Sequence, residues 1–227
     1  MTDRPILFSA PMVNALLEGR KTQTRRILKP QPIDSVDGFL RVARDLKDGK
    51  LVWETRKNGK PDYGIPIAEG CLDAHIKTVA VGDRLWVREA FAYVGSTDPG
   101  WLLYRANGYV SECHRHGFDI PFPPESEVRW KPSIQMPRAI SRITLTVTDV
   151  RVQRLQDISE EDARAEGIGK YGRLFGLPDS DWDDAELTAK AAFQRLWDSL
   201  NADRAPWKSN PWVVAVSFDV RKGNIDD

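Results

Sequence analysis

The sequence predicts an α+β domain in which a small mixed β-barrel is decorated by a few helices and carries long loop insertions. Two stretches, 84–89 and 143–155, alternate apolar and polar residues with the period of a β-strand. Short segments around them carry helix-start and helix-stop residues. The 227 residues fit one domain with insertions better than two full domains. Several β segments with few helices are typical of a small decorated barrel.

The N-terminal segment predicts a strand followed by a short helix. An apolar run at 6–8 suits a first strand, and Ser9 can cap a helix whose first turn accepts Pro11. Apolar residues then recur at helical spacing to position 17. Gly19 suits the left-handed conformation that ends a helix, so the next residues form a turn at the exit of a fixed element.

The C-terminal half predicts two strands and two helices. The alternation over 143–155 changes phase near Asp149, which indicates a bulge or tight bend. Ser159 opens a capping box for a short helix that ends at Gly167. The stretch 183–200 predicts the longest helix, with an acidic first turn and an apolar face that includes Leu187 and Leu200. The stretch 212–218 predicts the final strand.

Two insertions interrupt this pattern, at about 30–80 and 93–130. The first is rich in Pro, Gly and charge, with a weak β signal at 51–53, and we interpret it as an excursion from the barrel. The second is predicted to be irregular apart from one strand near 101–105.

Composition excludes several classes of protein. Lys plus Arg and Asp plus Glu number 33 each, so net charge predicts no polyanion partner and any nucleic-acid surface requires local clustering. We expect a cytoplasmic protein without a membrane partner, because the sequence has neither a signal peptide nor a run of roughly 20 apolar residues. Two cysteines provide no disulfide framework. The sequence indicates no cofactor and leaves the oligomeric state open.

The turn after the first predicted helix concentrates positive charge. Positions 20–29 contain five basic residues and no acid, with Thr22 and Thr24 among them. Charge-assisted donors beside hydroxyls are what phosphate recognition requires. The alternative interpretation is a solvated basic turn. On the first interpretation the residues that bind phosphate are Arg20, Thr22, Arg25 and Arg26.

This turn resembles the signature of the ASCH family, whose pattern is close to Gly-x-Lys-Thr-x-Thr-x-Arg. Here the matching residues run from Gly19 to Arg26. Four further segments resemble the family in the correct order: the turn and strand at 81–87, the long strand at 141–155, the helix at 155–167 and the closing strand at 212–218. Together with 130–134, the pattern looks most like the longer ASCH proteins of bacteriophages and prophages.

The resemblance implies a PUA-like β-barrel with a cleft beside the signature turn. Some small family members are amidohydrolases that remove the acyl group from N4-acetylcytidine, others are described as ribonucleases, and many are presumed to bind RNA. In the amidohydrolases the catalytic set is a Lys and a Thr of the signature turn and a Glu of the later helix. By position these are Lys21, Thr24 and Glu166.

The proposed chemistry is consistent with these residue types. Thr24 could attack an amide or position water, and neighbouring cations should depress the pKa of Lys21 so that it serves as a base. Glu166 could accept a proton or hold Lys21, although pairing with Lys21 would raise the lysine pKa, and the sequence does not decide between these roles. A carboxylate near a helix C-terminus is unfavourable by roughly 0.3–1 kcal/mol, which hints at another reason for Glu166. The structural alternative is a turn hydroxyl, a surface cation and a solvated acid.

Cys and His residues form two clusters within the insertions. Cys71 and His75 belong to the first, and Cys113 and His116 to the second, with His114 between them. Such a set could supply four zinc ligands, but the spacings match no common zinc motif, so no metal is predicted.

Four functions therefore remain open. The first is hydrolysis of an acylated cytidine or related nucleobase amide, and the second is non-catalytic binding of RNA or a nucleotide. The third is a ribonuclease, which would be metal-independent because no acidic cluster for Mg²⁺ stands out. The fourth, a structural phage component, has no coiled coil or fibre repeat to support it.

Overall fold

The computed structural model describes residues 1–28, 31, 79–95, 100–119, 123–176 and 185–227, together with the backbone of three strands between positions 40 and 62. The strands are β1 Asp3–Leu7, β2 Gln23–Ile27, β3 Leu40–Arg44, β4 Leu51–Lys57, β5 Lys60–Asp62, β6 Arg84–Arg88, β7 Phe91–Val94, β8 Trp101–Tyr104, β9 Ile143–Arg154, β10 Gly169–Tyr171, β11 Leu174–Gly176 and β12 Trp212–Lys222. The α-helices are α1 Ala10–Leu17, α2 Tyr109–Arg115, α3 Glu160–Ala165 and α4 Ala189–Asn201. Short 3-10 turns occur at Arg105–Asn107, Glu125–Glu127, Ser133–Gln135, Arg138–Ile140, Leu155–Asp157 and Trp207–Ser209. The chain is thus a mixed α+β fold with a mainly sheet core.

A five-stranded sheet in the order β1-β6-β9-β12-β2 forms the centre of the fold. The β1–β6 pair is parallel and the other three pairs are antiparallel. In a flat sheet β1 and β2 would lie about 19 Å apart, at four strand spacings. Instead, Arg26 Nη2 on β2 donates to the Leu7 carbonyl on β1 at 3.1 Å. The sheet is therefore strongly curled, and its two edge strands face each other across a gap.

The phase change expected near Asp149 is confirmed. On β12, Ser217 pairs with Asp149 and Phe218 with Val147, so Thr148 is the extra residue of a bulge in β9. Before the bulge Val147 is buried, and after it Val152 is buried. The bulge thus keeps both halves of a 12-residue strand facing the core.

Apolar residues form clusters on either side of the sheet. One lies between α1 and the concave face, and its buried members include Val13, Leu16 and Leu145. A second lies between the opposite face and helices α3 and α4, with Phe193 and Trp197 at its centre. A third joins β7, β8 and α2 around Leu103, Tyr109 and Cys113. The first two clusters fix α1 and α3 on the two sides of β2.

Both helices beside the signature turn follow the sequence prediction. Helix α1 ends at Leu17, and Gly19 has the positive φ of 75° expected of a left-handed stop. Ser159 caps α3 by accepting a hydrogen bond from the Asp162 N–H at 3.0 Å. Ser9 occupies the N-cap of α1, but its side chain makes no capping bond.

Three expectations need correction. The long helix begins at Ala189 rather than 183, since Thr188 caps it and the Glu186 backbone instead pairs with Phe175 through bonds of 2.7 and 2.8 Å. Leu187, assigned to its apolar face, is consequently 78% exposed, and Leu200 is exposed at the other end. Helix α2 was missed in a stretch expected to be irregular, where its first residues follow Gly108. Residues 181–184 lie outside the described part of the chain.

The first insertion contains a separate three-stranded sheet of β3, β4 and β5, and the weak signal at 51–53 falls in β4. Across the described residues, no helix is long and apolar enough to cross a membrane.

Candidate ligand-binding site

Strand β2 presents different residues on its two faces. Opposite residues of an antiparallel pair share a face, so Gln23 lies with Ser217 and Thr24 with Val216. A bond of 3.0 Å between Gln23 Nε2 and Ser217 Oγ agrees with this assignment. Arg25 shares the face of Gln23, whereas Arg26 shares the face of Thr24. The signature turn, which runs from Gly19 to Arg26, therefore supplies polar side chains to both faces of β2.

Lys21 and Glu166 form a buried ion pair. Their side chains join through Nζ and Oε2 at 2.8 Å, and both residues are buried, at 2% and 4% exposure. Lys21 Nζ also donates to the Glu166 carbonyl at 2.8 Å and to the Gln23 carbonyl at 2.9 Å. The backbone adds a hydrogen bond of 2.8 Å from Thr22 to Ala165. The end of α3 is thus fixed to the signature turn through both backbone and side chains.

Arg25 extends this pair into a network. Its Nη1 lies 3.2 Å from Glu166 Oε1, and its Nη2 lies 3.0 Å from Asp162 Oδ2. Asp162 also accepts from Gln23 Nε2 and from Arg151 Nη2, each at 3.2 Å. Asp162 and Glu166 lie four residues apart, which puts both carboxylates on one side of α3 and its C-cap. Two buried cations are therefore neutralised by two acids from one element.

The protonation of this network follows from burial and charge. Burial lowers the pKa of Lys21, the Glu166 carboxylate opposes that shift, and Arg26 and Arg25 lower the pKa further. Burial disfavours ionisation of Asp162, but Arg25 and Arg151 outweigh it, so the pKa of Asp162 lies below its ordinary value. Three acceptors lie within hydrogen-bond distance of Lys21 Nζ, a number that matches the three N–H donors of an ammonium group.

A cavity of about 690 Å³ opens beside β2, at the gap between the two edges of the sheet. Its apolar walls come from Leu7, Val79, Leu200, Val214 and Val216. Polar groups are contributed by Arg25, Arg26, Asn201 and Arg204, and Trp197 and Ile27 complete the lining. A cavity of this size with few polar groups is typical of a small-molecule site.

Arg26 and Arg204 are the exposed cations of this cavity. Arg26 donates to the carbonyls of Leu7 and Arg25, and its guanidinium lies 5.4 Å from the centre of the Phe8 ring. Among the described residues, Arg204 donates only to the Leu200 carbonyl, at 3.4 Å. Neither has a carboxylate partner among the described residues. Neither arginine would therefore have to break an ion pair with a described residue in order to bind an anionic group.

The remaining predicted binding and catalytic residues lie around this site. Arg20 pairs with Glu18 and donates to the Gly167 carbonyl at 2.8 Å, and Thr22 is exposed next to it. Thr24 is buried on the face of β2 opposite Gln23, and neither Lys21 nor Glu166 bonds to it. The structure thus brings Lys21 and Glu166 together and holds Thr24 on the other side of the strand. Their catalytic roles stay a prediction.

The four zinc candidates do not form a site in the described part of the chain. Cys71 and His75 lie outside the described residues. Cys113 is buried in α2, and the ring of His116 bonds to the Leu102 carbonyl at 3.1 Å. No group of three or more potential metal ligands occurs within the described ranges.

Sequence reasoning missed Asp162 and the cavity residues of α4. Asp162 falls within the capping box that Ser159 opens, and its spacing of four from Glu166 is the signal that links the two acids. Arg204 carried no signal, because its position depends on how α4 packs beside β2.

No family model matches the chain, and no curated protein or solved structure matches it. The functional argument therefore depends on the residues and their geometry.

Proposed function

We propose that this protein is an ASCH-type, PUA-like domain that binds a nucleobase-containing ligand, a nucleoside, nucleotide or short single-stranded RNA element, in the cavity beside β2. One observation carries the proposal: apolar walls and two exposed arginines without carboxylate partners in the described residues line the same cavity, next to the signature turn. The curled sheet and the position of the cavity agree with the barrel and cleft that the family resemblance implies.

The two kinds of lining suit the two parts of a nucleotide. Val214, Val216 and Leu200 offer apolar contact to a base, while Arg26 and Arg204 offer guanidinium donors to phosphate oxygens. A net charge of zero favours a small ligand or a short element over an extended RNA track. Trp86 and Phe91 are buried in the core, so a bound base would make apolar contacts with the cavity rather than stack on either of these rings.

The test is equilibrium binding of nucleoside monophosphates and a short single-stranded RNA over a range of salt concentrations. We expect Arg26→Ala and Arg204→Ala each to weaken phosphate-bearing ligands, and the log–log salt slope to fall by about one for each phosphate that the variant no longer binds. Arg221→Ala is the matched control, because Arg221 lies on β12 about 17 Å beyond Val216. Equal affinity in all three variants would contradict the proposal.

Hydrolysis of an acylated cytidine is the second candidate. The ion pair of Lys21 and Glu166, with the lowered lysine pKa, favours it. Against it, the three lysine donors are occupied and Thr24 lies on the other face of β2, so turnover would need a rearrangement of this turn. Binding without chemistry is therefore the simpler function for this geometry.

Turnover of N4-acetylcytidine by wild type and by Lys21→Ala and Glu166→Ala variants tests the second candidate. Asp162→Asn is the control, since it disturbs the same network without removing a proposed catalytic group. The enzyme proposal requires loss of turnover in the first two variants and its retention in the third. Cleavage of RNA by the wild type in chelator would instead favour the metal-independent ribonuclease.

A further inference from the structure

The outer edge of β2 faces the cavity. Two bonds fix the register of the inner edge: Leu28 N–H donates to Trp212 O at 3.0 Å, and Phe218 N–H donates to Thr22 O at 2.9 Å. Hydrogen-bonded pairs alternate along an antiparallel ladder. The even-numbered residues from 22 to 28 therefore bond to β12, and the backbone groups of Gln23, Arg25 and Ile27 point to the outer edge.

Two side-chain contacts support this assignment independently. Lys21 Nζ bonds to the Gln23 carbonyl at 2.9 Å, and Arg26 Nη1 bonds to the Arg25 carbonyl at 3.3 Å. Both carbonyls are thus accessible from outside the ladder. The Ile27 N–H has no acceptor among the described residues, and Arg25 and Ile27 both line the cavity.

We infer that the Arg25 carbonyl and the Ile27 N–H read the Watson–Crick edge of a nucleobase bound in this cavity. This inference rests on the proposed function and deepens it. On a strand edge, the C=O of one residue and the N–H two residues later form the acceptor and donor that a parallel partner strand would use. The Watson–Crick edge of a nucleobase also presents an N–H donor beside an acceptor. Proteins commonly recognise an unstacked base by hydrogen bonds to its Watson–Crick edge. The Arg25 carbonyl has a second lone pair beside its long bond to Arg26.

An extended peptide could also pair with a free strand edge. The exposed cations Arg26 and Arg204 at this cavity favour a phosphate-bearing ligand over a peptide strand. A nucleotide therefore matches both the backbone edge and the charge.

The experiment has a protein arm and a ligand arm. Proline at position 27 removes the outward N–H without removing a bond of the β2–β12 ladder, and edge strands tolerate proline at such positions. Ile27→Val keeps the N–H and is the matched control. We expect Ile27→Pro to bind the preferred nucleoside monophosphate about tenfold more weakly than Ile27→Val, the effect of one hydrogen bond.

The ligand arm removes the donor from the base instead. Wild-type protein is titrated with the four nucleoside monophosphates and with their N6,N6-dimethyladenine, N4,N4-dimethylcytosine, 3-methyluracil and 1-methylguanine forms. Each methylated form lacks the Watson–Crick N–H that lies next to an acceptor, and none gains charge. The preferred ligand should bind about tenfold more weakly on methylation. If Ile27→Pro is not folded by circular dichroism, this arm decides alone.

The outcomes separate the two proposals. Suppose that wild type binds a nucleotide, but binds its methylated form equally well, or that a folded Ile27→Pro variant binds the nucleotide as tightly as wild type does. The inferred backbone contacts with the base are then wrong, while the proposed binding in the cavity stands. If wild type binds no nucleoside, nucleotide or short single-stranded RNA, or binds only an extended peptide, both are wrong.

Discussion

Lys21 gives two of its three hydrogen bonds to a single residue, Glu166, one to the carboxylate and one to the backbone carbonyl. The carboxylate bond neutralises a buried charge, and the carbonyl bond satisfies the C-terminal end of α3. Because the same carboxylate also pairs with Arg25, Glu166 compensates two cations that are almost wholly excluded from water. The position that is unfavourable for an acid at a helix end is therefore explained by its partners.

Glu166→Gln should destabilise the fold strongly. The amide cannot neutralise Lys21 and Arg25, and breaking a buried pair by removal of one partner costs about 3–5 kcal/mol. The free energy of unfolding in urea measures this. Glu186→Gln is the control, since its pair with Arg195 is partly exposed and worth about 0–1 kcal/mol. Similar losses of stability in the two variants would contradict the structural importance of Glu166.

Asp162 should make stability depend on pH in the acid range. Its pKa is lowered in the folded protein, so its contribution is present above the unfolded pKa of about 3.9 and is lost as the pH falls through the folded value. We expect the difference in unfolding free energy between wild type and Asp162→Asn to be largest near neutral pH and to shrink below about pH 4. Urea unfolding at several pH values measures it, and the exposed Asp219→Asn serves as control. A difference that stays constant across this range would count against the proposed pairing.

The two serine N-caps should behave differently. Ser159 accepts a bond from Asp162 N–H, whereas Ser9 makes no capping bond. Ser159→Ala should cost about 1 kcal/mol, and Ser9→Ala only a few tenths. Thermal or urea unfolding of the two variants measures the contrast. Equal losses of stability in the two variants would contradict a stabilising contribution from the Ser159 capping bond.

The predictability of the fold depended on whether a signal was local. Gly19 ended α1, Ser159 capped α3, and the phase change near Asp149 gave the bulge, because each follows from the chemistry of adjacent residues. The start of α4 was wrong because the Glu186 backbone pairs with Phe175, a tertiary contact that overrides an acidic helix-start pattern.

The candidate site also depends on contacts between residues that are distant in the sequence. Lys21 and Glu166 are 145 residues apart, and only the family resemblance linked them. The residues that line the cavity were not predictable from separate segments, because α4 supplies Leu200 and the turn after it supplies Arg204 to a gap that exists only once the sheet has curled. The residue pattern of a single segment does not predict how strongly the whole sheet curls.

The backbone at Gly167 lies close to both Lys21 of the ion pair and Ala15 of α1. It follows Glu166 with a φ of 103°, and an added Cβ would lie 3.1 Å from Ala15 Cβ and 3.4 Å from Lys21 Cβ. Gly167→Ala must therefore strain the backbone and push α3 away from α1, which we expect to cost about 2–4 kcal/mol. Gly172→Ala is the matched control: its φ is 61° and its Cβ would meet no atom within 4 Å. That variant should be destabilised by only about 1 kcal/mol, the cost of a left-handed alanine. Urea unfolding measures both, and an equal effect at the two positions would mean that α1 and α3 do not pack closely at Gly167.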